Sequence, residues 1–153
     1  MAFFRLVPNL TIMAPKDFKE FEDMLESAVN LKRPVVIRYP RGGEDTKIKF
    51  QKHDKIKLGK AEIIKEGKEI SIIAIGKTVA RAMEVSNMLE KNKISTEVIN
   101  ARFLKPLDKE IIKNSINKTK FVITIEDGTI INGLGTAIKE LSLIHISEPT
   151  RLA

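Results

Sequence analysis

The sequence predicts an α/β fold. Short β-branched runs bounded by turn residues alternate with segments whose apolar residues recur at helical spacing, and the order strand, helix, strand occurs in both halves. The 153 residues have room for one domain, or for a small domain with part of another. Apolar content of 42% and charged content of 31% suit a globular chain, not a disordered one. No run approaches the roughly 18 continuous apolar residues of a membrane span, and the start shows no basic segment followed by a long apolar one, so neither membrane nor secretory signal is expected. The absence of cysteine excludes disulfides, thiolate metal sites and cysteine nucleophiles, and fits a cytoplasmic location.

In chain order, Leu10–Met13 reads as a short strand closed by Pro15. Asp17 with Glu20 is a helix-start signature, since each side chain can satisfy a free N–H of the first turn. Phe18, Phe21, Leu25 and Ala28 then form an apolar stripe opposite Lys19, Glu22, Asp23 and Glu26, predicting an amphipathic helix to about Leu31. Pro34-Val35-Val36-Ile37 follows as a strand expected to be buried on both faces. Together these make one βαβ unit, which needs further strands beside it.

Arg38-Tyr39-Pro40-Arg41-Gly42-Gly43 leaves that strand. Pro40 cannot donate to a sheet ladder, and the glycines free the backbone to turn. Arg41 therefore falls just past the carboxyl end of a strand, where open α/β sheets place ligands. Its planar guanidinium can grip a phosphate through two parallel charge-assisted hydrogen bonds. The plainer alternative is an arginine that ties a loop to a neighbouring carboxylate.

Residues 44–58 are lysine-rich without helical period and read as a linker. His53 lies within it with no second ligand at metal spacing, so a solvated histidine is expected. A second series follows. Lys60–Lys65 and Ile70–Ile75 are strands around Glu66-Gly67-Lys68, and Gly76 opens a helix whose face is Val79, Ala82, Met83, Ser86 and Leu89. Thr96–Asn100 is a strand, Asp108 caps a short helix with Ile111 and Ile112, and Phe121–Ile125 is a strand ending at Glu126-Asp127-Gly128. Asn132-Gly133-Leu134-Gly135 leads into a last helix with Ala137, Ile138 and Leu141.

The chemistry these residues offer is sparse. The net charge of +7 invites a nucleic-acid reading, but most lysines alternate with acids, and one tyrosine with no tryptophan cannot build a base-stacking surface. No nucleic-acid partner is expected. Gly133-x-Gly135 lacks the rest of a dinucleotide fingerprint, so close packing of a helix end explains it better. Gly76-Lys77-Thr78 could cradle an anion with free N–H groups, without a Walker pattern. Glu126 and Asp127 suit capping or interface roles. No metal-ligand cluster, nucleophile elbow or Ser/His/Asp set is visible, so residue chemistry alone yields no reaction.

Longer runs carry more information. Pro8-Asn-Leu-Thr-Ile-Met-Ala-Pro-Lys-Asp17, Ile37-Arg-Tyr-Pro-Arg-Gly42, Val98-Ile-Asn-Ala-Arg-Phe-Leu-Lys-Pro-Leu-Asp108 and Thr124-Ile-Glu-Asp127 with the glycine run after it occur in this order. They resemble the 1-deoxy-D-xylulose-5-phosphate synthases, transketolase-like thiamine-diphosphate enzymes, and the resemblance covers about Phe4 to Leu141. It implies a transferase that joins pyruvate to glyceraldehyde 3-phosphate with loss of carbon dioxide, for isoprenoid and thiamine precursors, as a homodimer using thiamine diphosphate and Mg2+. In that family the second arginine of the Arg-Tyr-Pro-Arg-Gly motif helps hold the aldehyde's phosphate, which falls on Arg41.

The resemblance also divides the chain. Residues 1–43 match the C-terminal part of a pyrimidine-binding domain built on a parallel sheet, 44–58 a linker, and 59–141 an incomplete transketolase C-terminal-like α/β domain with a mixed sheet. Residues 142–153 look foreign to the family, so His145 is given no role. The family's Gly-Asp-Gly diphosphate- and magnesium-binding motif does not occur in this sequence, nor do its cofactor-activating glutamate and active-site histidines. A fragment inactive alone is therefore expected, with no catalytic, cofactor or metal residue of its own. Two alternatives are a β chain of a 2-oxoacid dehydrogenase and a non-enzymatic α/β interaction domain.

Overall fold

The computed structural model describes residues 2–42, 48–50, 55–129 and 131–146, the side chains of 143–146 excepted. A short 3₁₀ turn at Phe3–Leu6 precedes β1 (Thr11–Met13), α1 (Phe18–Asn30) and β2 (Val35–Ile37). The second series is β3 (Glu62–Lys65), β4 (Ile70–Ala74), α2 (Thr78–Lys91), β5 (Thr96–Asn100), β6 (Phe103–Lys105), α3 (Lys109–Lys118), β7 (Phe121–Ile125) and α4 (Leu134–Ile146). The strands form two sheets, of order β2-β1-β6 and β3-β5-β4-β7. β4 lies parallel between β5 and β7 while β3 joins β5 antiparallel, giving the mixed sheet that was expected.

β1, α1 and β2 are the expected βαβ unit, with Thr11 paired to Val35 and Met13 to Ile37. The Asp17 carboxylate accepts from the Glu20 N–H at 2.7 Å and so caps α1. Two expectations need correction here. β2 is half-buried along its length, not buried on both faces, because it stands at an edge of its sheet. The buried face of α1 is Glu20 and Met24, whereas Phe18 and Leu25 of the apolar stripe are exposed. Glu20 can turn inward because buried cations meet it there, and the helix is rotated accordingly.

β6 was not foreseen. After β5, Arg102 takes a positive φ of 55° and the chain crosses to the other sheet, where Phe103 pairs with Met13. Phe103, Met13 and Met24 are fully buried together. The larger core likewise draws on both segments, with Leu10, Ile12 and Ala14 beside Ile73, Ile99, Leu104 and Leu134. The strands on either side of Gly67 are not neighbours, since β5 lies between them. Gly67 itself lies against the backbone of Thr96, where a Cβ would sit 2.1 Å from the carbonyl carbon.

At the other end of the second sheet, Glu126 accepts from the N–H groups of Leu134 (2.9 Å) and Gly135 (3.1 Å). The glycine run thus packs a helix start against a capping carboxylate, and a Cβ on Gly133 would fall 2.3 Å from a Glu126 oxygen. α4 continues through Leu141 to Ile146 without a break.

Candidate functional site

A groove of about 500 Å³ opens beside the carboxyl ends of the parallel strands β1 and β2. The Arg38 N–H donates to the Met13 carbonyl at 2.9 Å, carrying the β ladder one residue past β2. Tyr39, Pro40, Arg41 and Gly42 then form one wall. Gly42 has φ +110°, a conformation that L side chains rarely adopt, which is how the turn after Arg41 is made. Phe18 and Phe21 line the groove from α1, and Phe21 packs on the Tyr39 ring at 4.8 Å between centroids. Lys77, Ala80 and Arg81 line it from the start of α2.

Beneath this groove lies a buried set of charges at the junction of the two sheets. Lys16 Nζ meets Glu62 at 2.7 Å and Glu20 at 3.2 Å, and Arg102 Nε meets Glu20 at 2.7 Å and its Nη2 Glu62 at 3.1 Å. Asn100 donates to Glu20 at 3.0 Å, and the Lys16 N–H donates to Glu20 at 2.7 Å. All four charged side chains are at most 4% exposed. Two cations balance two carboxylates, which is the condition under which buried charge is tolerated. Lys16 also stands 5.4 Å from the Phe50 ring centroid.

Among the groove's cations, Lys16 is therefore neutralised from below. Lys77 pairs with Asp127 at 2.8 Å, and Arg38 reaches the same carboxylate at 3.3 Å. The hydrogen bond from Lys77, followed by the charge of Arg38, holds the Asp127 carboxyl below the usual carboxylate range. Lys77, considered as part of an anion cradle, thus has its anion in Asp127. Arg41 is exposed at the groove's rim and has no ion pair or hydrogen bond among the described residues. Among the described residues the loop-tie alternative describes Arg38, through Asp127.

His53 and Gly43 lie outside the described residues, as does the His145 side chain. Among the described residues no group of three histidine, aspartate or glutamate side chains could hold a metal ion. No helix among the described residues is long and apolar enough to cross a membrane. Sequence reasoning missed the buried charge set and Arg81. Arg102 stood within a quoted motif, but its role needs contacts that are 82 residues apart in the chain.

Comparison with known proteins agrees with this geometry. Residues 59–146 match the model of the transketolase C-terminal domain, and residues 1–43 that of the transketolase pyrimidine-binding domain. Curated relatives include the 1-deoxy-D-xylulose-5-phosphate synthases of Halothermothrix orenii, 45% identical over 143 residues, and of Desulfotalea psychrophila, 45% identical over 144. Each alignment covers 92% of this chain but 22% of the relative, so the chain spans about a fifth of the length of these proteins. Among solved structures, a split-gene transketolase described as an inactive β4 tetramer superposes with TM-score 0.88 at 31% identity, over 95% of this chain and 48% of that one. A transketolase from Pichia stipitis shares the fold at TM-score 0.63 and 18% identity, over 84% of this chain and 20% of that one. The chain belongs to the transketolase family, with its C-terminal domain behind a stretch of its pyrimidine-binding domain.

Proposed function

We propose that this chain works as part of a 1-deoxy-D-xylulose-5-phosphate synthase, joining pyruvate to glyceraldehyde 3-phosphate with loss of carbon dioxide. The observation that carries this is Arg41, a guanidinium unpaired among the described residues at the rim of a cationic groove, at the carboxyl ends of two parallel strands. A dianionic phosphate meets there a planar donor fork that no carboxylate pairs among the described residues, and the bond is charge-assisted. Lys16 and Lys77 line the same groove but are already paired, with Glu62 and Asp127.

In this assignment the chain's own part in the reaction is to bind and orient the aldehyde's phosphate. Thiamine diphosphate, when bound, supplies the carbanion chemistry, and the residues that hold it with Mg2+ lie outside this sequence. The working enzyme is a cytoplasmic homodimer in this proposal, with residues 44–58 as linker. Isothermal calorimetry tests the division of labour. The 153-residue chain should show no heat of binding for thiamine diphosphate with Mg2+ and no pyruvate decarboxylation. Turnover of pyruvate by this chain unaided would overturn the assignment.

A further inference from the structure

The groove has a second guanidinium. Arg81 lies on α2 one helical turn beyond Lys77, so the two side chains share a helix face, and both line the groove with Ala80 between them. α2 is fixed to the second sheet by the buried Val79, Ala82 and Ser86, which sets that face toward the groove. Arg81 is exposed and, like Arg41, has no ion pair or hydrogen bond among the described residues. Asp17, the one acid that lines the groove among the described residues, caps α1. Among the described residues four cations therefore line one groove, and the two without partners there stand on opposite segments of the chain.

We propose that Arg81 is a second phosphate-holding residue, gripping the same anion as Arg41 from the C-terminal domain. This rests on the assignment of the groove to the aldehyde's phosphate. A phosphate dianion has oxygens enough for two guanidinium forks, and two arginines share its charge where one exposed arginine neutralises half. Arg41 follows β2, and Arg81 belongs to a helix of the other sheet. The bound phosphate thus bridges the two segments, and substrate occupancy tightens their contact.

The test is a titration of the isotope-labelled 153-residue chain with inorganic phosphate at constant ionic strength, followed by amide chemical shifts. Arg81→Ala should weaken phosphate roughly tenfold, the scale of one lost charge-assisted hydrogen bond at an exposed site. Arg81→Lys, which keeps the charge and loses the fork, should fall between. Lys120→Ala, at the amino end of β7, reports the general loss of one positive charge and should leave binding nearly unchanged. If Arg81→Ala binds as the parent does while Arg41→Ala is weakened, Arg81 has no such role and the Arg41 clamp stands. If Arg81→Ala weakens binding no more than Lys120→Ala, only the overall field is at work and the proposal fails. A parent chain that shifts no groove amide with phosphate would overturn both assignments.

Discussion

Asp127 shows how much of this surface is decided by single charges. Its carboxylate takes Lys77 and Arg38 together, from two segments distant in sequence. Its pKa is depressed in the folded chain, first by the Lys77 hydrogen bond and then by the Arg38 charge. The pairing therefore contributes stability above the pKa of an unfolded aspartate, and that stability is lost as the pH falls through the lower folded value. A carbon-detected titration of the Asp127 side chain should give a midpoint below that of an unfolded peptide. Lys77→Ala should move it back toward the ordinary value, and an unmoved midpoint would remove Lys77 as the main cause. Glu126, one residue earlier, does a different job as the cap of α4. The pair was legible as capping and interface acids from position alone, because both follow a strand and precede a glycine run. Which acid did which required the fold.

At the scale of elements, nearly every strand and helix was visible where local rules suffice. Asp17 and Asp108 cap α1 and α3 as their spacing foretells. What escaped was set by tertiary context. The apolar stripe of α1 pointed to Phe18 and Leu25 as core, yet Glu20 is 1% exposed and Phe18 55%. A buried carboxylate cannot be anticipated until Lys16 and Arg102 are known to surround it. β6 is three residues long and owes its pairing to β1, so no periodicity announces it. Gly67 belongs to this scale too, since it lets the connection from β3 to β4 pass against Thr96 in β5. Gly67→Ala should cost about 3 kcal/mol, the upper range for overpacking against backbone that cannot yield. Urea unfolding of the two proteins measures this, and a loss below about 0.5 kcal/mol, within the range of a neutral surface change, would mean the connection moves aside freely.

For the whole molecule, the junction between the sheets joins stability to the site. Lys16, Asp17 and Phe18 line the groove, while Lys16 is anchored below by Glu20 and Glu62. Removing one member leaves buried charge uncompensated, so Glu62→Ala should cost about 3–5 kcal/mol. Replacing Glu62 and Arg102 together by apolar residues of similar volume should cost less than the single change, because the remaining Lys16–Glu20 pair is balanced. Equal or additive losses in urea unfolding would show that the charges do not act as a set. The family and the general position of Arg41 were legible in sequence because long motifs survive in order. The cationic groove was not, since its walls come from Arg41, α1 and α2 and meet only in the folded chain.

The central claim is that Arg41 recognises the phosphate of the aldehyde. In the complete enzyme, KM for glyceraldehyde 3-phosphate should be compared with KM for unphosphorylated glyceraldehyde, with and without Arg41→Ala. The substitution should weaken the phosphorylated aldehyde by about 1.5–3 kcal/mol, roughly ten- to 150-fold, and leave glyceraldehyde and pyruvate nearly unchanged. An unaltered preference for the phosphorylated aldehyde would contradict the account and return Arg41 to the ordinary surface.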